Sequence, residues 1–134
     1  SGLIKKLLEN KDKCNVTAIL TIQQVKEIYE ISNFETEVII SIFAGRIADT
    51  GIDPIPILKS ALELMQSNKR SELIWASPRE LLNIFQANNI GCHIITVTRD
   101  ILNKLDLLGY DLENYSLDTV KMFYNDAVDA NYNL

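Results

Sequence analysis

Four times along this chain a short apolar, β-rich run is followed by a longer stretch with helical spacing, and that alternation limits the fold more than any other feature of the sequence. A leading helix, Leu3 to Asn10, puts Leu3, Ile4, Leu7 and Leu8 on one face. The first strand is "NVTAIL", residues 15 to 20, and Thr21 with Gln24 has the capping-box spacing that opens a helix continued by Val25, Ile28 and Tyr29. "EVIISIF" is the second strand. Pro54 and Pro56 break the chain after Gly51, and "ILKSALELMQ" restores helical periodicity through Ile57, Leu58, Ala61, Leu62 and Met65. "ELIWA", residues 72 to 76, is the third strand. In "SPRE" the sequence predicts a helix start with Ser77 as N-cap, Pro78 in the first helical position and Glu80 closing the box, with Leu81, Leu82, Ile84 and Phe85 as its apolar face. "CHIITVT" is the fourth strand, and Thr98 caps a helix that begins at Arg99. A last helix, Ser116 to Ala130, carries Val120, Phe123, Tyr124 and Ala127.

Strand–helix units in which the strands are apolar on both faces point to parallel α/β architecture. Two classes remain: a small doubly wound sheet, or part of a (β/α)8 barrel. A whole barrel runs to about 250 residues. At 134 residues and 47% hydrophobic composition, the chain is read as a single domain able to bury a core.

Charge and cysteine usage narrow the setting. The formal charge of −5, from 13 basic and 18 acidic residues, argues against nonspecific binding to nucleic acid or acidic membranes. No apolar stretch approaches the length of a membrane helix, and the N-terminus lacks a signal-peptide layout. Cys14 and Cys92 read as reduced core thiols, which favours the cytoplasm. His93 is the only histidine, so no metal site of the usual kind is expected; it reads as a satisfied core residue.

In both candidate folds, ligands gather at the C-terminal ends of the strands. The polar residues fall there. Thr17 lies in the first strand, Ser41 and Phe43 near the end of the second, and Arg46 just beyond it within "SIFAGRIADTG"; Ser77 and Arg79 follow the third. Two arginines beside a helix N-terminus suit a phosphate, and an anion there would offset the unfavourable placing of Arg79 in a first helical turn. Each residue also has an ordinary reading. Thr17 suits a strand by propensity, Ser77 suffices as a cap, Arg46 and Arg79 are adequate surface cations, and Phe43 is ordinary core. Asp49 and Asp53 flank Gly51 as turn formers.

"NVTAIL", "SIFAGRI" and "WASPRE" followed by "GCHIITV" resemble, in order and spacing, the second half of transaldolases and the related fructose 6-phosphate aldolases, over about Leu3 to Leu105. The resemblance implies strands 5 to 8 of a (β/α)8 barrel and class I aldolase chemistry, in which a strand lysine forms a Schiff base with a ketose phosphate and a dihydroxyacetone unit passes to an aldose phosphate. It implies that Asn15 and Thr17 are the fifth-strand pair, the threonine holding the catalytic water. Ser41 and Phe43 would line the site on the sixth strand, where some relatives have tyrosine in place of Phe43. Arg46, Ser77 and Arg79 would hold the substrate phosphate, Gly45 letting the backbone bend close. No cofactor is expected. The family's Schiff-base lysine belongs on a strand just before the helix that opens this chain, and its acidic acid–base residues belong on still earlier strands; Lys5 and Lys6 are on a helix.

Three functional classes follow. The chain is the C-terminal half of a transaldolase-like enzyme, completed by a lysine-bearing N-terminal half. Otherwise it is a self-associating half-barrel, a homo-oligomer that binds a sugar phosphate such as fructose 6-phosphate without imine chemistry, or a flavodoxin-like interaction module. In each, residues 110 to 134 form a C-terminal helical segment, whose Tyr110, Tyr115, Tyr124 and Tyr132 are expected to pack against a neighbour or an interface.

Overall fold

A computed structural model describes residues 2–32 and 36–130. They form two compact units, Ser1–Leu102 and Asn103–Leu134. The first unit opens with α1 (Gly2–Glu9) and continues through β1 (Cys14–Ile19), α2 (Ile22–Ile31), β2 (Val38–Phe43), α3 (Ala44–Ala48), α4 (Ile55–Met65), β3 (Ser71–Ala76), α5 (Leu82–Asn89) and β4 (Ile94–Ile95). A short helix, α6 (Arg99–Asn103), follows, beginning where the sequence placed it.

The strands lie in the order β1-β2-β3-β4, every neighbouring pair parallel. Each strand therefore pairs with its predecessor in the chain. Parallel neighbours are joined by right-handed crossovers, so a sheet that never reverses its order carries its helices on one face. That is the winding of a (β/α)8 barrel and not of a doubly wound sheet, whose order reverses at a switch point.

Burial agrees with this one-sided layering. Val38, Ile40 and Ile42 on β2 and Leu73 and Trp75 on β3 join Val25 and Ile28 of α2 and Leu58, Ala61 and Met65 of α4 in one core. The alternate residues Ile39, Ser41 and Phe43 lie outside that cluster. α2 starts as its sequence requires: the Thr21 hydroxyl accepts from the Gln24 amide, and the Gln24 side chain accepts from the Thr21 amide at 3.0 Å. Such a cap is worth about 1 kcal/mol.

Several expectations are corrected. Ser77 caps no helix, because its backbone sits in the left-handed region at φ 58° and α5 begins only at Leu82. The turn before α5 is instead closed by the Asn83 side chain, which accepts from the amides of Arg79 (2.8 Å) and Glu80 (3.2 Å). α3 was not foreseen; the chain coils directly out of β2. The apolar run 92–98 pairs over only two residues, since β4 bonds to β3 through Ile74–Ile94 and Trp75–Ile95 alone. His93 is exposed rather than core, although satisfied: its Nδ1 accepts from the Leu73 amide at 3.1 Å. Cys14 and Cys92 are free thiols, both partly buried against the core.

In the second unit a 3-10 turn (Lys104–Leu107) leads to α7 (Leu112–Asp129). This helix starts four residues before its expected Ser116 because Asp111 is the N-cap, accepting from the Asn114 amide at 3.0 Å. Tyr110 packs edge-on against Tyr115 and donates to Asp118 at 2.7 Å, a local clasp at the helix start. Val120, Phe123 and Tyr124 are exposed; Tyr132 lies outside the described residues. No helix among the described residues is long and apolar enough to cross a membrane.

Candidate active site

The face of the sheet turned away from the core carries Asn15, Thr17, Ser41 and Phe43, the strand residues the sequence singled out. Register partners in a parallel sheet share a face, so Asn15, opposite Ile39, stands with Ser41 and Phe43. Thr17 is two residues beyond Asn15 and on the same face, exposed. Ser41 is 4% exposed and donates its hydroxyl to Asn15 Oδ1 at 2.8 Å, so two strands are tied together by site side chains. Phe43 is partly buried beside them at the end of β2 and takes no part in the core. Past Thr17 the ladder breaks: Ala18 has φ 61°, and the register with β2 shifts between Val16 and Ile19. A bulge of this kind ends regular pairing and re-aims the chain.

The second group lies at the strand exits. Gly45 is packed so tightly that a Cβ built on it would stand 1.8 Å from the Ser77 carbonyl oxygen and 2.9 Å from Arg79 Nε. Only glycine fits. The close partner of Gly45 is the backbone after β3, and Gly45 itself is helical. The exit of β2 is thereby held against the exit of β3. Arg46, the next residue, is exposed on α3.

Arg79 donates to Asp49 at 2.5 Å, with both side chains about half exposed. This pair was missed, because Asp49 reads locally as a turn former and the 30-residue separation leaves no local pattern. Asp53 does act as a turn former, its Oδ1 accepting from the Ile55 amide. An exposed pair of this sort contributes little to stability, at most about 1 kcal/mol. Its effect is orientation: Asp49 holds one edge of the guanidinium and leaves its remaining N–H donors for another acceptor. A cavity of about 150 Å³ adjoins, with Gly45, Trp75, Arg79 and Asn83 in its wall.

The structure thus joins Asn15 to Ser41 and places Gly45 against Ser77 and Arg79. It sets Thr17 and Phe43 on the same face without a hydrogen bond to that pair. Sequence reasoning missed Asp49 and Asn83, the two residues that position Arg79. Asn83 gave no capping signal, since it lies inside α5 and its side chain reaches back to the turn before the helix. No strand among the described residues carries a lysine, and no group of three or more histidine, cysteine or acidic side chains there could hold a metal ion.

A comparison with curated proteins gives no match. The family model described as Transaldolase/Fructose-6-phosphate aldolase matches residues 2–134. Given that match and a singly wound parallel sheet with polar groups at its strand exits, the chain belongs to the transaldolase and fructose-6-phosphate aldolase family.

Proposed function

We propose that these residues form the substrate-holding half of a transaldolase-like site, with β1 to β4 in the places of barrel strands 5 to 8. The observation that carries the reading is the pinning of Gly45 against Ser77 and Arg79, which brings the exits of two strands together beside a cationic side chain. In this reading Arg46 and Arg79 supply charge to a sugar phosphate and the Ser77 segment supplies polar contacts. Asp49 keeps the Arg79 fork in one orientation, so that less freedom is lost on binding. Asn15 and Ser41 hold the sugar hydroxyls, Thr17 holds the water that enters the reaction, and Phe43 walls the site. The chemistry is transfer of a dihydroxyacetone unit between sugar phosphates.

The lysine that forms the Schiff base comes from outside these strands, on a complementary N-terminal half. The open inner face supports this, because Asn15 and Thr17 are exposed where a closed barrel would cover them. Association with a second copy of this chain is the other way to cover that face, and gives binding without imine chemistry. The cytoplasm is the compartment suited to such a soluble enzyme.

Titration calorimetry with fructose 6-phosphate, and with fructose as control, tests the phosphate assignment. Arg46→Ala and Arg79→Ala are each expected to weaken fructose 6-phosphate binding by about 1.5–3 kcal/mol, the worth of a charge-assisted hydrogen bond. Equal affinities in wild type and both variants would sink it. Adding borohydride to the complex then separates the two completions, since only a lysine-bearing partner traps the ketose covalently.

A further inference from the structure

β1 contains one residue more than its neighbour can pair. Cys14, Asn15 and Val16 lie opposite Val38, Ile39 and Ile40, and Ile19 lies opposite Ile42, so Thr17 and Ala18 together stand against the single residue Ser41. Ala18 is the surplus one. Its φ of 61° puts it in the left-handed region, where a Cβ crowds the backbone and every residue but glycine is disfavoured.

The packing does not ask for this residue. Cys14 and Val16 rest against the core and Ile19 is part of it, while Asn15 and Thr17 are exposed on the other face. With Ala18 removed, Cys14, Val16 and Ile19 fall at alternate places, opposite the same core residues Val38, Ile40 and Ile42, and Thr17 comes square to Ser41. A regular β1 therefore turns the same side chains to the same faces as the bulged one. Ala18 is itself exposed, so it buries no apolar surface in return. Backbone strain that packing does not require collects at functional sites, and a bulge beside such a site re-aims a side chain. The side chain adjoining this bulge is Thr17.

We infer that Ala18 is a positioning residue, whose left-handed turn within β1 sets the height and direction of the Thr17 hydroxyl over the open face. The inference rests on the reading of that face as the sugar end of the site, with Thr17 holding water against the ketose carbonyl. In a regular strand Thr17 stands directly beside Ser41, one strand spacing of about 4.8 Å away. Ser41 already gives its hydroxyl to Asn15 at 2.8 Å, and Thr17 joins neither of them. The bulge thus divides the work: Ser41 ties β2 to β1, and the Thr17 hydroxyl is left for a ligand.

Thermal melting, with calorimetric titration of fructose 6-phosphate and of inorganic phosphate, tests this. Deleting Ala18 is expected to leave the melting temperature at or above that of wild type and to weaken fructose 6-phosphate binding roughly threefold to tenfold, the worth of one hydrogen bond made directly or through water. Inorganic phosphate, which reaches only the arginine end, binds the deletion variant as it binds wild type. Thr17→Ala shows the same loss for fructose 6-phosphate, and deleting Ala18 in that background adds nothing, because both changes act through one hydroxyl. Ala18→Gly keeps the left-handed turn without strain and binds as wild type does. The inference is overturned if the deletion variant melts lower or fails to fold, which makes the bulge structural. It is also overturned if that variant binds fructose 6-phosphate as wild type does, if inorganic phosphate is weakened equally, or if the losses add. Those outcomes leave the phosphate assignment standing, whereas wild type that binds fructose 6-phosphate no better than fructose overturns the reading of the site and this inference with it.

Discussion

Val38, Ile40 and Ile42 alternate along β2 with Ile39, Ser41 and Phe43, and the two sets face different surroundings. The first set is at most 1% exposed and packs under α2 and α4, with Leu73 and Trp75 of β3 beside it. The second set shares its face with the exposed Asn15 and Thr17, and its firmest contact there is a hydrogen bond between side chains. A strand of period two thus separates the residues that pack the core from those on the open face, residue by residue. The apolar content of Ile39 and Phe43 hides this division in the sequence, since the run 38–43 shows no alternation of polarity beyond Ser41.

The largest test is Leu73→Ala. Its side chain is fully buried on the helix side, so the variant should lose about 2–5 kcal/mol in denaturant unfolding. An equal loss from Ile39→Ala, on the other face, would break the comparison. Gly45→Ala comes next. The added Cβ meets a backbone carbonyl, which cannot swing aside as a side chain tip does, so about 1–3 kcal/mol of stability is lost together with fructose 6-phosphate affinity. Wild-type melting and binding in that variant would show that the two strand exits are not tied as described.

Ser41→Ala is expected to cost less, about 0.5–1.5 kcal/mol, for one hydrogen bond whose partner Asn15 is still open to water. A loss matching that of Leu73→Ala would place Ser41 among the structural residues. The smallest effect is kinetic. Burial raises the Cys92 thiol pKa above its usual value, outweighing hydrogen bonds from the backbone that lower it. The thiol is the neutral form, so whatever stability this gives is present below the ordinary thiol pKa and lost as pH rises through the raised one. Labelling of Cys92 with iodoacetamide at pH 7.5 should therefore lag behind a free thiol and climb only in alkaline solution. Labelling at the free-thiol rate would show that the packed side admits water.

The strands were legible because an apolar run of six or seven residues between turn formers has few other uses. So was the start of α2, where Thr21 and Gln24 make the bonds their spacing predicts. "SPRE" satisfied the same rule and failed. Ser77 is drawn into the left-handed region where its carbonyl packs on Gly45, a contact 32 residues away that no local window contains. The fourth strand shrank for a related reason: apolar content in "CHIITVT" sets burial, while pairing depends on how far β3 runs alongside. At α7 the signal was there unread, in Asp111 three residues before Asn114. Of the site, the residue types at the strand exits were readable. The Asp49–Arg79 pair was not, because the partners lie on different connections.

The strand order has a bearing on how the chain reaches this structure. Cys14 pairs with Val38, Val38 with Ser71, and Ile74 with Ile94, so closing each new pairing spans 24, 33 and 20 residues. Loop-closure entropy rises only with the logarithm of length, so the three closures cost nearly the same. No strand has to wait for a later one before it finds its neighbour. During synthesis the sheet can therefore lengthen sideways, one strand and its covering helix at a time, in the order in which the ribosome releases them.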